Sequence, residues 1–142
     1  MDDKIVLIVE RVYLGVIGVV FLASGIFTFF DPHAMGEALG IAPLNASGET
    51  EILATYGGLV VGSGLLFLAG LFHELMAVAA LAGCCFGAGG LVSTRIAIQL
   101  TEGFTVNQTI VATFEVSIVA VALFLLKRRI RRIMDASLRQ QP

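Results

Sequence analysis

The amino-acid sequence predicts an all-α integral membrane protein, a bundle of four transmembrane helices, and three observations support this fold class. Hydrophobic residues make up 57% of the 142 residues and charged residues only 14%, against about 45–50% and about 25% in soluble domains. Four apolar segments each approach the roughly 20 residues that a helix needs to cross the hydrocarbon. Apart from Arg95, the lysines and arginines lie near the two ends of the chain. The expected solvent is therefore the bilayer.

The four predicted spans cover residues 5–30, 52–72, 75–100 and 108–126, and we expect them to form a single domain with a basic tail at 127–142. Apolar runs of this length indicate helices rather than strands, because hydrocarbon offers the backbone no hydrogen-bond partner. The first run lacks a basic leader and a small-residue cleavage site, so we expect it to be retained as a span.

The orientation of the spans follows from the positive charges. The loops after the first and third spans contain no lysine or arginine, whereas the tail KRRIRRIMDASLRQQP is strongly basic. The positive-inside rule then predicts that both termini are cytoplasmic. We expect the basic side chains that directly follow the fourth span to contact anionic lipids, or else an acidic partner subunit. These are Lys127, Arg128, Arg129, Arg131 and Arg132.

The first outer loop is expected to contain a short helix. Asp31 suits its N-cap, Pro32 its first position and Gly40 its C-terminal stop. Met35 and Leu39 have helical spacing on this segment. The helix is therefore interpreted either as one that lies on the membrane surface or as an ordinary capped loop helix.

Glycine pairs spaced by four residues predict how the spans pack. Gly58 and Gly62 form one such pair in the second span, and Gly83 and Gly87 form another in the third. Small residues at this spacing allow two helix backbones to approach closely in a membrane. Because the turn between these two spans is very short, we expect a tight hairpin along the two glycine faces.

The stretch LVSTRIAIQL places Arg95 inside the third span. Its depth is roughly 8 Å below the outer boundary, and that of Glu115 in the fourth span is roughly 12 Å, at 1.5 Å per residue. Adjacent antiparallel helices would bring these two side chains together. Glu51 opens the second span at the same level, and Tyr56 lies one turn below it, so we expect a buried polar cluster of these four residues.

Two interpretations of this cluster stay open. It is either an ion pair that locks helices together, or a site for a lipid headgroup, a quinone or a small anion. A proton or ion path is disfavoured, since one cluster near one face does not cross a membrane. No catalytic residue set, metal site or cofactor motif is predicted, although a bound lipid or quinone is compatible with the cluster. The net charge of −2 argues against nucleic acid as a partner.

The sequence also resembles a known family. The stretches ETEILATYGGLVVGSGLLFLAG and STRIAIQLTEG, followed by a glutamate in the last span before LLKRR, are similar to domain of unknown function 4345. This group contains small four-span membrane proteins, mainly bacterial and loosely similar to DoxX-like proteins. The resemblance covers roughly Glu10 to Arg129. The positions that match its recurring residues are Glu51, Tyr56, Gly57, Gly58, Arg95, Gly103 and Glu115.

The chain departs from the family pattern at one place. An arginine often follows the first glutamate closely in the family, whereas this chain has Ile52 and Leu53 there. The resemblance therefore implies an outer cluster with one cation fewer, which weakens the idea of an anion site. It implies a bacterial inner membrane protein and is nearly silent on activity.

Two main function hypotheses follow. The first is an accessory subunit or assembly factor of a larger membrane complex, of respiratory or photosynthetic type, with membrane lipids and other membrane subunits as partners. It rests on small size, the basic tail, the glycine faces and the lack of an evident catalytic set. The alternative is a binder or small enzyme for a lipid-like or quinone-like molecule at the outer polar cluster. A homo-oligomeric pore is a weaker third hypothesis.

Overall fold

The computed structural model describes residues 3–138, including every side chain in that range except those of Asp3 and Asn107. The described residues form helices joined by short connections, with no β-strand among them. In chain order the elements are α1 (Asp3–Phe30), α2 (Pro32–Leu39), α3 (Ala46–Ile52), a π-helical segment (Leu53–Leu59), α4 (Val60–Ala69), α5 (Glu74–Glu102) and α6 (Val106–Leu138).

Four helical stretches in this range are long and apolar enough to cross a membrane. They are Lys4–Phe30, Ala46–Ala69, Glu74–Glu102 and Gln108–Leu138. The second of them, hereafter the second span, joins α3, the π-helical segment and α4 without a break. The predicted all-α fold class with four membrane-span-like helices is thus confirmed, whereas the orientation of the termini stays a prediction.

The chain divides into two compact units, with the boundary between Ala77 and Val78. The first unit contains α1, α2 and the second span, and the second contains nearly all of α5 together with α6. Each unit is described by itself below. The prediction that all four spans form one domain stays a prediction.

The loop helix α2 has the three terminal residues that the sequence indicates. The Asp31 carboxylate accepts a hydrogen bond from the backbone N–H of Ala34 at 2.9 Å, and Pro32 occupies the first helical position. Gly40 ends the helix with φ 70° and ψ 27°, a left-handed conformation that favours glycine. These caps are confirmed, and a location on the membrane surface stays a prediction.

The close backbone approach in the first unit lies between α1 and the second span. A Cβ at Gly64 would lie 2.7 Å from Leu22 N and 2.9 Å from Gly18 O. A Cβ at Gly25 would lie 2.8 Å from Gly57 O. Gly18 lies opposite Gly64 and the later Gly25 lies opposite the earlier Gly57. The two helices are therefore antiparallel. Only glycine permits this backbone separation.

The glycines predicted to pack the second span against the third are not the ones that meet α1, and their close packing with each other stays a prediction. A Cβ at Gly62, Gly83 or Gly87 would meet no atom within 4 Å, and at Gly58 only Leu53 O, at 4.0 Å. Gly57 and Gly64 are seven residues apart, two turns of one helix face, and it is this face that meets α1. Gly58 and Gly62 lie on a different face and are exposed.

The basic residues after the fourth predicted span lie on the same helix as the span. Helix α6 continues through Lys127 to Leu138, and residues 139–142 of the predicted tail lie outside the described part of the chain. The Arg128 guanidinium lies 5.5 Å from the centre of the Phe124 ring, a cation–π contact. Contacts of the basic residues with lipid or partner stay a prediction.

We expect Gly64→Ala to destabilise the protein and Gly62→Ala, on the same helix, to be tolerated. The new methyl group at position 64 would collide with two backbone atoms of α1, which costs about 1–3 kcal/mol when a well-packed contact is overfilled. The measurement is the free energy of unfolding in mixed detergent–SDS micelles, followed by circular dichroism. Equal stability of the two variants would contradict the assigned contact face.

Candidate functional site

An ion pair joins α5 to α6 in the second unit. Arg95 Nε lies 3.1 Å from Glu115 Oε2, and the two side chains keep 31% and 18% exposure. The two contacting atoms are themselves buried and fall outside hydrogen-bond geometry with each other. The attraction is therefore mainly electrostatic. This is the pairing that the depths of Arg95 and Glu115 in their spans predict.

The Arg95 guanidinium also donates a hydrogen bond from another of its nitrogens to a second acceptor. Arg95 Nη1 donates a hydrogen bond to Gln108 Oε1 at 2.7 Å. Closer to the connection between α5 and α6, Thr109 Oγ1 donates to Gln99 Oε1 at 3.1 Å, and Gln99 is 6% exposed. The two helices are thus joined by polar contacts over several turns near their connected ends.

These contacts supply Arg95 with a counter-charge and an acceptor from within its own unit. A charged side chain at membrane depth costs at least about 2.5–3.5 kcal/mol unless it faces protein or water. A counter-charge and a neutral acceptor both reduce that cost. The geometry thus fits an ion pair that holds α5 to α6, and the binding of a ligand by Arg95 and Glu115 stays a prediction.

One face of α6 carries small hydroxyl residues one turn apart, and we refer to it as the hydroxyl face. Thr109, Thr113 and Ser117 each donate to the carbonyl four residues earlier, at 2.8, 2.8 and 2.9 Å. Thr113 and Glu115 lie about 200° apart around the helix axis at 100° per residue. Since Glu115 faces α5, Thr113 faces away from it.

A groove of about 620 Å³ follows the hydroxyl face. Aromatic and aliphatic side chains border the hydroxyl groups, and Phe114 is 66% exposed. The lining residues are Phe104, Thr105, Val106, Thr109, Ile110, Thr113, Phe114 and Ser117. An exposed small-residue face of this kind is typical of surfaces where transmembrane helices meet.

The first unit contains a different polar feature, in the π-helical segment of the second span. Thr28 is completely buried in α1, and its hydroxyl makes contacts of 3.0 Å to Ser24 O and 3.2 Å to Tyr56 O. The π-helical turn shifts the backbone pairing, so carbonyls within it need other partners. Thr28 supplies one across the helix contact. Such turns are frequent at functional sites.

Glu51 and Tyr56 lie together in a groove beside this segment. The groove has a volume of about 440 Å³ and is lined by Ile41, Ala42, Pro43, Leu44, Asn45, Gly48, Glu51, Ile52, Thr55 and Tyr56. Glu51 is exposed and Tyr56 half-buried. Glu51 belongs to the short helix α3, at the end of the second span. A cluster of both residues with Arg95 and Glu115 stays a prediction.

Two residues that make contacts between helices, Gln108 and Thr28, are not among those predicted from the sequence. Gln108 precedes Glu115 by seven residues, which is two helical turns on one face, so the helical period alone indicates that both can reach the same partner. No comparable signal marks Thr28. Its contact depends on the π-helical turn, which lies 28 residues further along the chain.

Among residues 3–138, no group of three histidine, cysteine, aspartate or glutamate side chains is arranged to hold a metal ion. Residues 9–126 match the family described as domain of unknown function (DUF4345). The chain belongs to this family. Comparison with curated proteins and with solved structures gives no significant match. The expected resemblance is thus confirmed over most of the chain.

We expect Arg95→Leu and Glu115→Leu each to lower the free energy of unfolding by about 2–3 kcal/mol, between the values for exposed and for fully buried ion pairs. Each single variant leaves one charge without its counter-charge. The double variant leaves neither, so it should lose clearly less than the sum of the two.

The measurement is a double-mutant cycle on unfolding in detergent micelles. Gln108→Leu is the control, since it removes only the neutral acceptor of Arg95 and should cost about 1 kcal/mol. Strictly additive losses for Arg95→Leu and Glu115→Leu would mean that the pair does not hold the helices together.

Proposed function

We propose that this chain is a non-catalytic accessory subunit or assembly factor of a larger membrane complex, of respiratory or photosynthetic type. The observation that carries this proposal is the hydroxyl face of α6, on which Thr113 and Ser117 are exposed and, each two residues from Glu115, turned away from α5. Lipid-facing positions of a span are usually filled by large apolar side chains, whereas small residues at helical spacing favour close approach of another helix. The expected partner is therefore a transmembrane helix of another subunit.

The ion pair of the second unit supports the same role. Arg95 already has a counter-charge in Glu115 and an acceptor in Gln108, so α5 and α6 are held together without a ligand. Both groups are engaged in this contact, which suits a structural role. A pre-ordered helix pair loses little conformational entropy when it docks, which suits a structural subunit.

We further propose a bacterial inner membrane location with both termini in the cytoplasm. This rests on the distribution of lysine and arginine along the chain and on the family resemblance. The basic end of α6 would then lie at the cytoplasmic surface, beside anionic lipids or an acidic partner.

The second candidate is a binder or small enzyme for a lipid-like or quinone-like molecule beside Arg95 and Glu115. The observation that favours it is the 31% exposure of the Arg95 side chain, which is not fully enclosed by its own unit. A molecule with an anionic or carbonyl oxygen would suit that position.

We expect Thr113→Leu to lower recovery of the partner subunit roughly tenfold, because a larger side chain would fill the groove that the partner helix occupies. The measurement is native mass spectrometry of the gently solubilised assembly, with partner identity and stoichiometry as readouts. Thr94→Leu is the matched control, since Thr94 is also exposed and also donates to the carbonyl four residues earlier, but does not line the groove.

Partners at fixed stoichiometry with the unaltered protein and with Thr94→Leu, but not with Thr113→Leu, would support the accessory role. A lone chain that carries a small molecule, and loses it in Arg95→Leu while staying folded, would replace the accessory role by the binder. A lone chain without any bound molecule would reject both.

A further inference from the structure

We infer that the groove at Glu51 and Tyr56 binds the ammonium headgroup of an aminophospholipid, taken from the leaflet next to it. The groove combines apolar walls with one carboxylate and one phenol. This inference concerns the first unit and does not depend on the accessory role proposed above.

The residues around the groove in the first unit carry several negative charges and no positive ones, which favours binding of a cation. No lysine or arginine occurs between Arg11 and Arg95, whereas Asp31, Glu37, Glu49 and Glu51 all lie in or beside the loop that follows α1. Arg11 is 19 residues before Phe30, the last residue of α1, or roughly 28 Å along the helix at 1.5 Å per residue.

Glu51 itself makes no salt bridge within the described residues of the first unit. Arg95, the next cation along the chain, already has Glu115 as its counter-charge. Within the described part of the first unit the carboxylate at the groove thus has no counter-charge, and a local negative potential would concentrate an ammonium group there.

The walls of the groove suit the apolar part of the same molecule. Ile41, Pro43 and Ile52 line it, and Leu44 beside them is 96% exposed. A leucine with that exposure at the end of a membrane span is well placed to contact acyl chains. A ligand that satisfies both the carboxylate and these walls is an amphiphile with a cationic head, and aminophospholipids are the amphiphiles of this chemistry that a bilayer supplies.

The π-helical segment explains why the two polar residues share one groove. In a regular α-helix, residues five apart lie about 140° from each other around the axis, which would turn Glu51 and Tyr56 to different sides. The wider turn of Leu53–Leu59 changes this register, because its hydrogen bonds join residues five apart. The buried Thr28 hydroxyl, bonded to Tyr56 O, stabilises this irregular backbone from α1.

The test uses the purified full chain in dodecyl maltoside, titrated with dioleoylphosphatidylethanolamine or with dioleoylphosphatidylglycerol and followed by native mass spectrometry. The ethanolamine lipid should bind several-fold more tightly, since its ammonium can pair with Glu51. Glu51→Gln should weaken its binding roughly fivefold, the value of one partly exposed ion pair, and should leave binding of the glycerol lipid unchanged.

Glu37→Gln is the matched control, because Glu37 is exposed in the same loop region and does not line the groove. Unchanged binding in this control would show that the local carboxylate, not the overall negative charge, selects the headgroup. Thr28→Val, which removes the hydroxyl bonded to Tyr56 O, should weaken binding of the ethanolamine lipid while Glu51 stays in place.

Equal affinity of the unaltered protein for both lipids would overturn the inference. The same holds if Glu51→Gln and Glu37→Gln lose affinity equally, since the selection would then lie in the general charge of the loop. A dimer of the chain that excludes the ethanolamine lipid would assign the groove to a second copy instead. None of these results depends on whether partner subunits copurify. The lipid-binding inference and the accessory role can therefore be rejected independently of each other.

Discussion

The structure depends on one constraint, which is that hydrocarbon offers no hydrogen-bond partner to a polar group. Helices satisfy most of the backbone by themselves. The remaining polar groups find partners inside the protein: the Thr28 hydroxyl bonds Tyr56 O in the π-helical segment, and Arg95 contacts Glu115 and Gln108. The hydroxyl residues of α6 bond the carbonyls of their own helix. The Thr28 and Arg95 contacts thereby link neighbouring helices, whereas the α6 hydroxyls satisfy their own hydrogen-bonding groups within one helix.

The same constraint explains what could be predicted from the sequence. The spans were recognised because their length and hydropathy match the membrane thickness. The α2 caps followed from residue types with a defined local role, as at Asp31 and Gly40. The Arg95–Glu115 pair followed because two opposite charges at similar depth in consecutive spans have few other ways of being neutralised. All three predictions need only the residue types of a short segment or the depth of a residue along the membrane normal.

The features that were missed depend on rotation about the helix axis. The stretch GGLVVGSG offers several glycine pairs, and the contact of Gly57 and Gly64 with α1 depends on which face of the second span meets that helix. A π-helical turn shifts that face further, and its stability depends on a hydroxyl in another helix. The exposure of Glu51 in the first unit has the same origin, because depth alone does not tell whether a side chain faces protein or solvent.

The polar contacts and the groove described above lie toward one end of the spans within each unit, which bears on the proposals made for the chain. In the first unit, Thr28, Glu51 and Tyr56 lie toward the ends of their spans next to the lysine-free loop that follows α1. In the second unit the paired Arg95 and Glu115 lie toward the connection between α5 and α6. The rest of α6 up to Lys127 is dominated by apolar residues. A pore requires polar groups along its whole length, whereas docking of a partner or a headgroup requires them at one membrane face only. Within each unit the distribution therefore supports the proposed docking of a partner or a headgroup more than it supports a pore.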